Sequence, residues 1–392
     1  MGVQTNRTLW IDYLRTTITL MVIAHHSSLS YTTFASFDKE KYINSTHPVV
    51  DSVRWIGLDI FENFNDIFFM SLMFFIGGIF IVRSLQRKGV AVFIRDRFYR
   101  LFVPFLLLGT LFMLVAYYPC YYLAYGVNDL PEYVVNFFTV QQWPVGPPWF
   151  IWILFLFNLL FALCFPLIKN HLSAMGSFFE GLKDKPLRLF GFWGAFTWIL
   201  YVPFAFWVGA GTWTGMGPFD FQLSRIVWYF GYFILGVVIG NTDFNRGLFS
   251  ENFRVVKQFP LWILLAVLIY AILTYITPVL SHLVETGQLQ EIPAWLIYYT
   301  LYVSSCTLSC IAFITTFKAL TRTSKIWFDS LSQNAYCIYL IHYIFVLWCQ
   351  FALLEIQLPA VVKFLIVFMV AVAGSWMMSI LLRKSAIIKK YL

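Results

Sequence analysis

The chain has 392 residues, of which 60% are hydrophobic, 20% aromatic and only 12% charged, and its mean hydropathy is +0.74. Soluble domains carry about a quarter charged residues, so a water-soluble enzyme is excluded and an all-α polytopic membrane protein is implied. The net charge of +8 would suggest nucleic acid for a soluble protein. Here the basic residues fall in short loops and read as orientation signals, so no nucleic-acid partner is expected.

The apolar runs divide into ten expected spans, at residues 9–33, 56–82, 99–118, 149–168, 189–209, 225–240, 259–278, 294–317, 331–353 and 360–382. Most are long enough for a hydrocarbon core of about 30 Å. An even number places both termini on one side. On that side fall Arg7, the cluster from Arg83 to Arg100, Lys169, the 183–188 segment, Arg246, Arg254, Lys257, the 318–325 segment and the basic C-terminus. The opposite loops carry Lys39, Lys41 and Arg54. This alternation makes the first side cytoplasmic. One integral-membrane domain over residues 1–392 is expected, multi-pass in the cell (inner) membrane, with no separate soluble domain and no cleavable signal peptide. Self-association stays open.

The first span carries Asp12, Arg15, His25 and His26 in an apolar body, and charge at membrane depth usually has a function. Arg15 and His26 are eleven residues apart, about three helical turns, so they share one face and are about 16 Å apart along the axis. Asp12, Thr19 and Ser30 lie near the same line, while His25 points roughly 80–100° away. His26 is therefore the candidate general base, since a histidine can take the proton of a hydroxyl nucleophile. In the second span Asp59, Glu62 and Asp66 occupy one face at the depth expected for the histidines. Asp66, the deepest, is the candidate to orient the base.

At the start of the third span, Arg97-x-x-Arg100 before Pro104 places two guanidinium groups on one face at the membrane boundary, suited to bidentate phosphate capture. The segments 119–148 and 209–222 are rich in Pro, Gly and aromatics. They are bent and able to roof an outer cavity, although packing against neighbouring helices is the plainer expectation. In the ninth span His342 lies among Asn334, Tyr336 and Tyr339, either positioning substrate or bonding helix to helix. Ser304, Ser305, Thr307 and Ser309 read as close helix packing. The six cysteines form no CxxC pair and read as small core residues. No P-loop, GxSxG elbow or metal-ligand spacing is present, so no metal is expected.

Taken in order, these motifs resemble the membrane-bound acyltransferase-3 superfamily. Asp12-Tyr13-Leu14-Arg15 followed by His26 is similar to its D-x-L-R and histidine register, which His25 does not fit. Phe74 to Phe80 is similar to F-F-I-S-G-Y-F, with Gly77 in place of Ser. Arg97, Arg100 and Pro104 match its R-x-x-R. Pro147 to Ile151 resembles H-L-W-F-L without the histidine. Ser332 to His342 resembles S-x-x-S-Y-x-I-Y-L-x-H, with Ala335 for the second Ser. The stretch Ser27 to Tyr31 looks most like the branch that succinylates glucans.

The resemblance implies an acyl-CoA-dependent O-acyltransferase with no permanently bound cofactor. It would move an acetyl or succinyl group from cytoplasmic acyl-CoA, the co-substrate, to a hydroxyl of an extracytoplasmic glycan or other envelope acceptor. Arg15, Arg97 and Arg100 would bind the donor, His26 would be the base, and Asp12, Trp149, Tyr339 and His342 would position substrate. The competing readings are a transporter or flippase for a glycan or lipid without acyl chemistry, and a sensor or assembly factor that kept the fold.

Overall fold

The structure, a computed structural model, describes residues 8–242, 248, 250 and 252–391. Arg7 and Arg246 of the charge pattern lie outside the described residues. Helices run in chain order as α1 (Leu9–Leu29), α2 (Ile56–Gly78), α3 (Ile81–Lys88), α4 (Val90–Arg97), α5 (Thr110–Tyr125), α6 (Leu130–Phe138), α7 (Trp149–Glu180) and α8 (Pro186–Val208). They continue as α9 (Ile226–Gly240), α10 (Arg254–Lys257), α11 (Phe259–Glu285), α12 (Glu291–Leu320), α13 (Ile326–Leu353), α14 (Ala360–Leu382) and α15 (Ala386–Tyr391). The short strands β1 (Trp213–Thr214) and β2 (Phe221–Gln222) pair antiparallel. The protein is thus an all-α polytopic membrane protein.

Among the described residues, nine helical stretches are long and apolar enough to cross a membrane. Nine of the ten expected spans correspond to them; α1 is the tenth long helix and is more polar. It can be so because α2, α12, α13 and α14 pack around it, and Leu14, Ile18 and Ile23 are fully buried. A helix enclosed by other helices need not match the hydrocarbon, so its polar residues find protein partners.

The third crossing differs from expectation. It begins at Val90 and continues to Tyr125, with π-helical turns at Phe98–Phe102 and Phe105–Gly109 on either side of Pro104. Proline removes a backbone donor and its ring crowds the preceding turn, and widened turns accommodate both within one helix. The helix ends at Gly126, whose φ of 71° is readily reached by glycine. After it, Asp129 caps α6 by accepting from the Glu132 amide at 3.0 Å.

Contacts between elements place the loops at two ends. At the basic end the Tyr13 hydroxyl accepts from the Lys325 amide at 2.6 Å, Arg83 donates to the Thr242 carbonyl at 3.1 Å, and Arg383 bonds Asn334 at 3.0 Å. At the opposite end the Ile43 amide donates to Gln141 at 3.1 Å, and Trp152 donates to the Asp220 carbonyl at 3.2 Å.

Helices α2 and α9 meet backbone against backbone. A methyl group added at Gly236 or Gly240 would collide with the carbonyls of Phe75 and Ile79, and one at Gly78 with that of Phe233. Glycines four apart let two backbones meet in this way, which suits association where water gives no hydrophobic drive. The adjoining Phe74 packs against Phe150 at 4.6 Å, Phe157 at 5.1 Å and Tyr229 at 5.0 Å. Phe74 and these glycines therefore fix α2 against α7 and α9.

Candidate active site

A cavity of about 650 Å³ opens at the end opposite the basic loops, within the size range of small-ligand sites. From α1 it takes Val22, His25, His26 and Leu29; the loop residues 43–47, the 144–147 turn, and Trp213, Asp220 and Gln222 also line it. Both bent segments therefore take part in its roof. The 139–148 turn holds Gln142 and Trp143 at φ of 56° and 60°, a left-handed conformation uncommon outside glycine. The fold holds it there: the Trp143 amide bonds the Phe137 carbonyl at 2.8 Å and its indole bonds Thr110 at 3.1 Å.

His26 is half-buried and lines the cavity. Its Nδ1 lies 3.2 Å from Nε2 of His342, and Nδ1 of His342 lies 2.7 Å from the Tyr339 carbonyl oxygen. A carbonyl only accepts, so Nδ1 of His342 carries the proton. With both rings neutral, Nε2 of His342 is then an acceptor and Nδ1 of His26 must donate to it. This leaves Nε2 of His26 as the ring's lone-pair nitrogen, the state a general base requires. Tyr339 also donates its hydroxyl to the Pro147 carbonyl, tying this chain of bonds to the roof.

Asp66 does not orient His26, contrary to expectation. Its carboxylate accepts two bonds from Arg225, at 3.0 and 2.6 Å, because a buried guanidinium needs a countercharge more than a neutral imidazole does. The three acids of that face do three jobs. Asp59 accepts from the Thr33 amide at 2.8 Å, Glu62 lies 3.7 Å from Nε2 of His25, and Asp66 lines the cavity as Arg225's partner. His25 faces α2 and packs on Phe69 at 5.1 Å, as its helical offset requires.

Trp149 and Tyr339 both line the cavity. Trp149 packs against Trp213 at 5.6 Å and Tyr229 at 6.0 Å, building an aromatic wall. His342 stands behind His26, outside the lining. Asp12 lies near the basic end, 3.4 Å from Arg15. Arg97 sits over the Phe93 ring at 5.0 Å, and the Arg100 carbonyl accepts from Tyr336 at 2.9 Å. The cavity does not reach these arginines: its lining on α1 ends at Val22 and includes none of Arg15, Arg97 or Arg100. The shared stripe of α1 is real as spacing, but Ile18 and Thr19, both buried, separate its two ends.

Two residues that the sequence reading passed over shape the cavity. Burial raises the Asp220 carboxyl above the ordinary carboxylate range. His47, in the loop after α1, bonds Oε1 of Gln350 through Nε2 at 2.7 Å, and the Gln350 amide donates to the His26 carbonyl at 3.1 Å. This clamps the loop to the end of α1. Burial lowers the His47 pKa from 6.5 to about 4, against the opposing effect of the Gln350 bond. The unfolded chain therefore binds the proton first as pH falls, and stability is lost between pH 6.5 and about 4. At about 1.4 kcal/mol per pH unit the loss attributable to His47 approaches about 3 kcal/mol. Thermal melts across this window should show it as one share of the slope, and His47→Gln should reduce the slope by that share; an unchanged slope would remove His47 as a contributor.

A family model described as an acyltransferase domain, acyltransferase-3, matches residues 8–380. No curated protein matches the chain, and no solved structure does. The match covers every described helix from α1 to α13 and nearly all of α14, so the chain belongs to the membrane-bound acyltransferase-3 superfamily.

Proposed function

We propose that this acyltransferase is a cell-membrane O-acyltransferase that moves an acetyl or succinyl group from acyl-CoA to a hydroxyl of an extracytoplasmic glycan or other envelope acceptor. The observation that carries this reading is the bonded series Tyr339 carbonyl, His342, His26, which presents a lone-pair nitrogen beside a polar, aromatic-walled cavity. The acceptor hydroxyl gives its proton to Nε2 of His26 as its oxygen attacks the thioester carbonyl. The C–S bond then breaks, and His26 returns the proton to the departing thiolate. Direct attack needs only a base and proximity, and no acyl-enzyme is required.

Arg97 and Arg100, at the basic end, would take the donor's phosphates. The pantetheine arm would then pass Arg15 and travel from Arg15 to Val22, about 10 Å along α1 at roughly 1.5 Å per residue. Because Ile18 and Thr19 are packed there, delivery requires the helices around α1 to part when donor binds. Arg97→Glu with Arg100→Glu should raise the KM for acyl-CoA at least tenfold while leaving turnover at saturation within about threefold.

The deciding experiment is mass spectrometry of envelope glycans from cells with and without the protein. A mass shift of one acyl group, lost with the gene, is expected and identifies the group. Identical glycans in both strains, together with movement of an unmodified glycan or lipid, would favour the transporter reading instead.

A further inference from the structure

A second cleft, of about 400 Å³, lies between α2, α11 and α12. It adjoins the His26 cavity at Asp66, which lines both spaces and whose side chain is 37% exposed. At its other end Thr277 and Tyr298 also line a groove of about 350 Å³ that follows α11 and α12 to Glu285 and Glu291. Three spaces therefore lie in series from the base to the rim of the bundle.

The lining of the second cleft has no place in the transfer chemistry at His26. Tyr270, Tyr298 and Tyr302 present aromatic side chains, and Asp59, Asn63 and Thr274 present polar groups between them. Two of the residues that line it carry a buried polar atom without a partner, the Tyr302 hydroxyl and Nε of Arg225, and both residues are less than a tenth exposed. An unsatisfied buried polar group costs about 1–3 kcal/mol and calls for an explanation, such as a partner not yet bound. The charged groups of the cleft and groove are Asp59, Asp66, Glu285, Glu291 and Arg225, an excess of carboxylates that disfavours an anionic ligand. Amphipathic rings alternating with small hydroxyls and carboxylates match a sugar, which has an apolar ring face and a polar edge.

We infer that the α2–α11–α12 cleft is an acceptor subsite. It holds an uncharged saccharide unit next to the one whose hydroxyl meets His26, and the α11–α12 groove leads the rest of the chain out. The acceptor is thus an oligosaccharide, not a single small alcohol. This rests on the acyl-transfer reading, and the test separates the two.

The protein in nanodiscs is given labelled acetyl-CoA or succinyl-CoA and the envelope glycans of its own cell, resolved into oligosaccharides and their single-sugar hydrolysis products. Wild type should favour oligosaccharides by tenfold or more in kcat/KM. Tyr302→Phe, which keeps the ring, and Tyr298→Ala should reduce this preference to within about twofold through acceptor KM, with the single-sugar rate unchanged. Equal wild-type rates on both fractions, or variants that keep the preference, would overturn the subsite.

A titration of intrinsic fluorescence with the same fractions, without donor, reads the cleft independently. Saturable oligosaccharide binding weakened tenfold by Tyr298→Ala supports the subsite, and its absence overturns it. Binding of that kind without transfer by wild type would retire the acyl-transfer reading and leave the cleft standing.

Discussion

Alanine at His26 should lower acyl transfer by about a thousandfold, within the roughly 10²–10⁴ that a positioned general base contributes. The variant should still reach the membrane and elute as wild type in detergent, because the half-buried ring makes one side-chain hydrogen bond, to His342. His342→Ala should lose less, about tenfold to a hundredfold, and chiefly in turnover. His342 lies outside the cavity lining; on the proposed mechanism it would set, through its bond to His26, which nitrogen holds the proton, and without it the ring could adopt the unproductive tautomer. Labelled acyl transfer to envelope glycans, with kcat and KM separated, checks both. Full activity of His26→Ala would end the general-base assignment, whereas equal losses at both positions would mean that His342 itself meets the substrate.

The fold was legible because its causes are local. Apolar run length reports a crossing directly, and Asp12, Arg15 and His26 marked the first helix as functional, while its enclosure by α2, α12, α13 and α14 is seen only in the structure. The histidine offset around α1 was likewise fixed by helical geometry, and the structure turns His25 to Glu62 and His26 to His342. The partner of His26 was not legible, since α13 comes more than three hundred residues later and spacing carries no information across that distance.

A stricter reading of charge could have found the Asp66 pairing. Arg225 stands at the start of an apolar span, and a buried guanidinium demands a carboxylate. As a residue of the sixth expected span it poses the question of which carboxylate pairs with it. His47 gave no sequence signal at all: it sits in a loop of ordinary composition, and only the return of that loop over α1 brings it to Gln350.

Lys363 poses the same question as Arg225, and its removal should have the largest effect on stability. Its ammonium lies 2.6 Å from Asp51, and both side chains are fully buried. Asp51 is a hub of the loop over the cavity: its amide bonds the Ser30 carbonyl at 3.0 Å, its carboxylate accepts from the Val53 amide at 2.9 Å, and its carbonyl accepts from Arg54 at 3.1 Å. Lys363→Met leaves that carboxylate in a dry site without a countercharge, which costs about 3–5 kcal/mol. The loop from Ser30 to Trp55 should detach, so the variant should melt at a markedly lower temperature and lose transfer activity with it. Adding Asp51→Asn removes the stranded charge while keeping an acceptor for the Val53 amide, and should restore most of the melting temperature. That reversal separates a charge effect from a packing effect. A double variant as unstable as Lys363→Met would show that the lysine stem, not its charge, holds α14 against the loop.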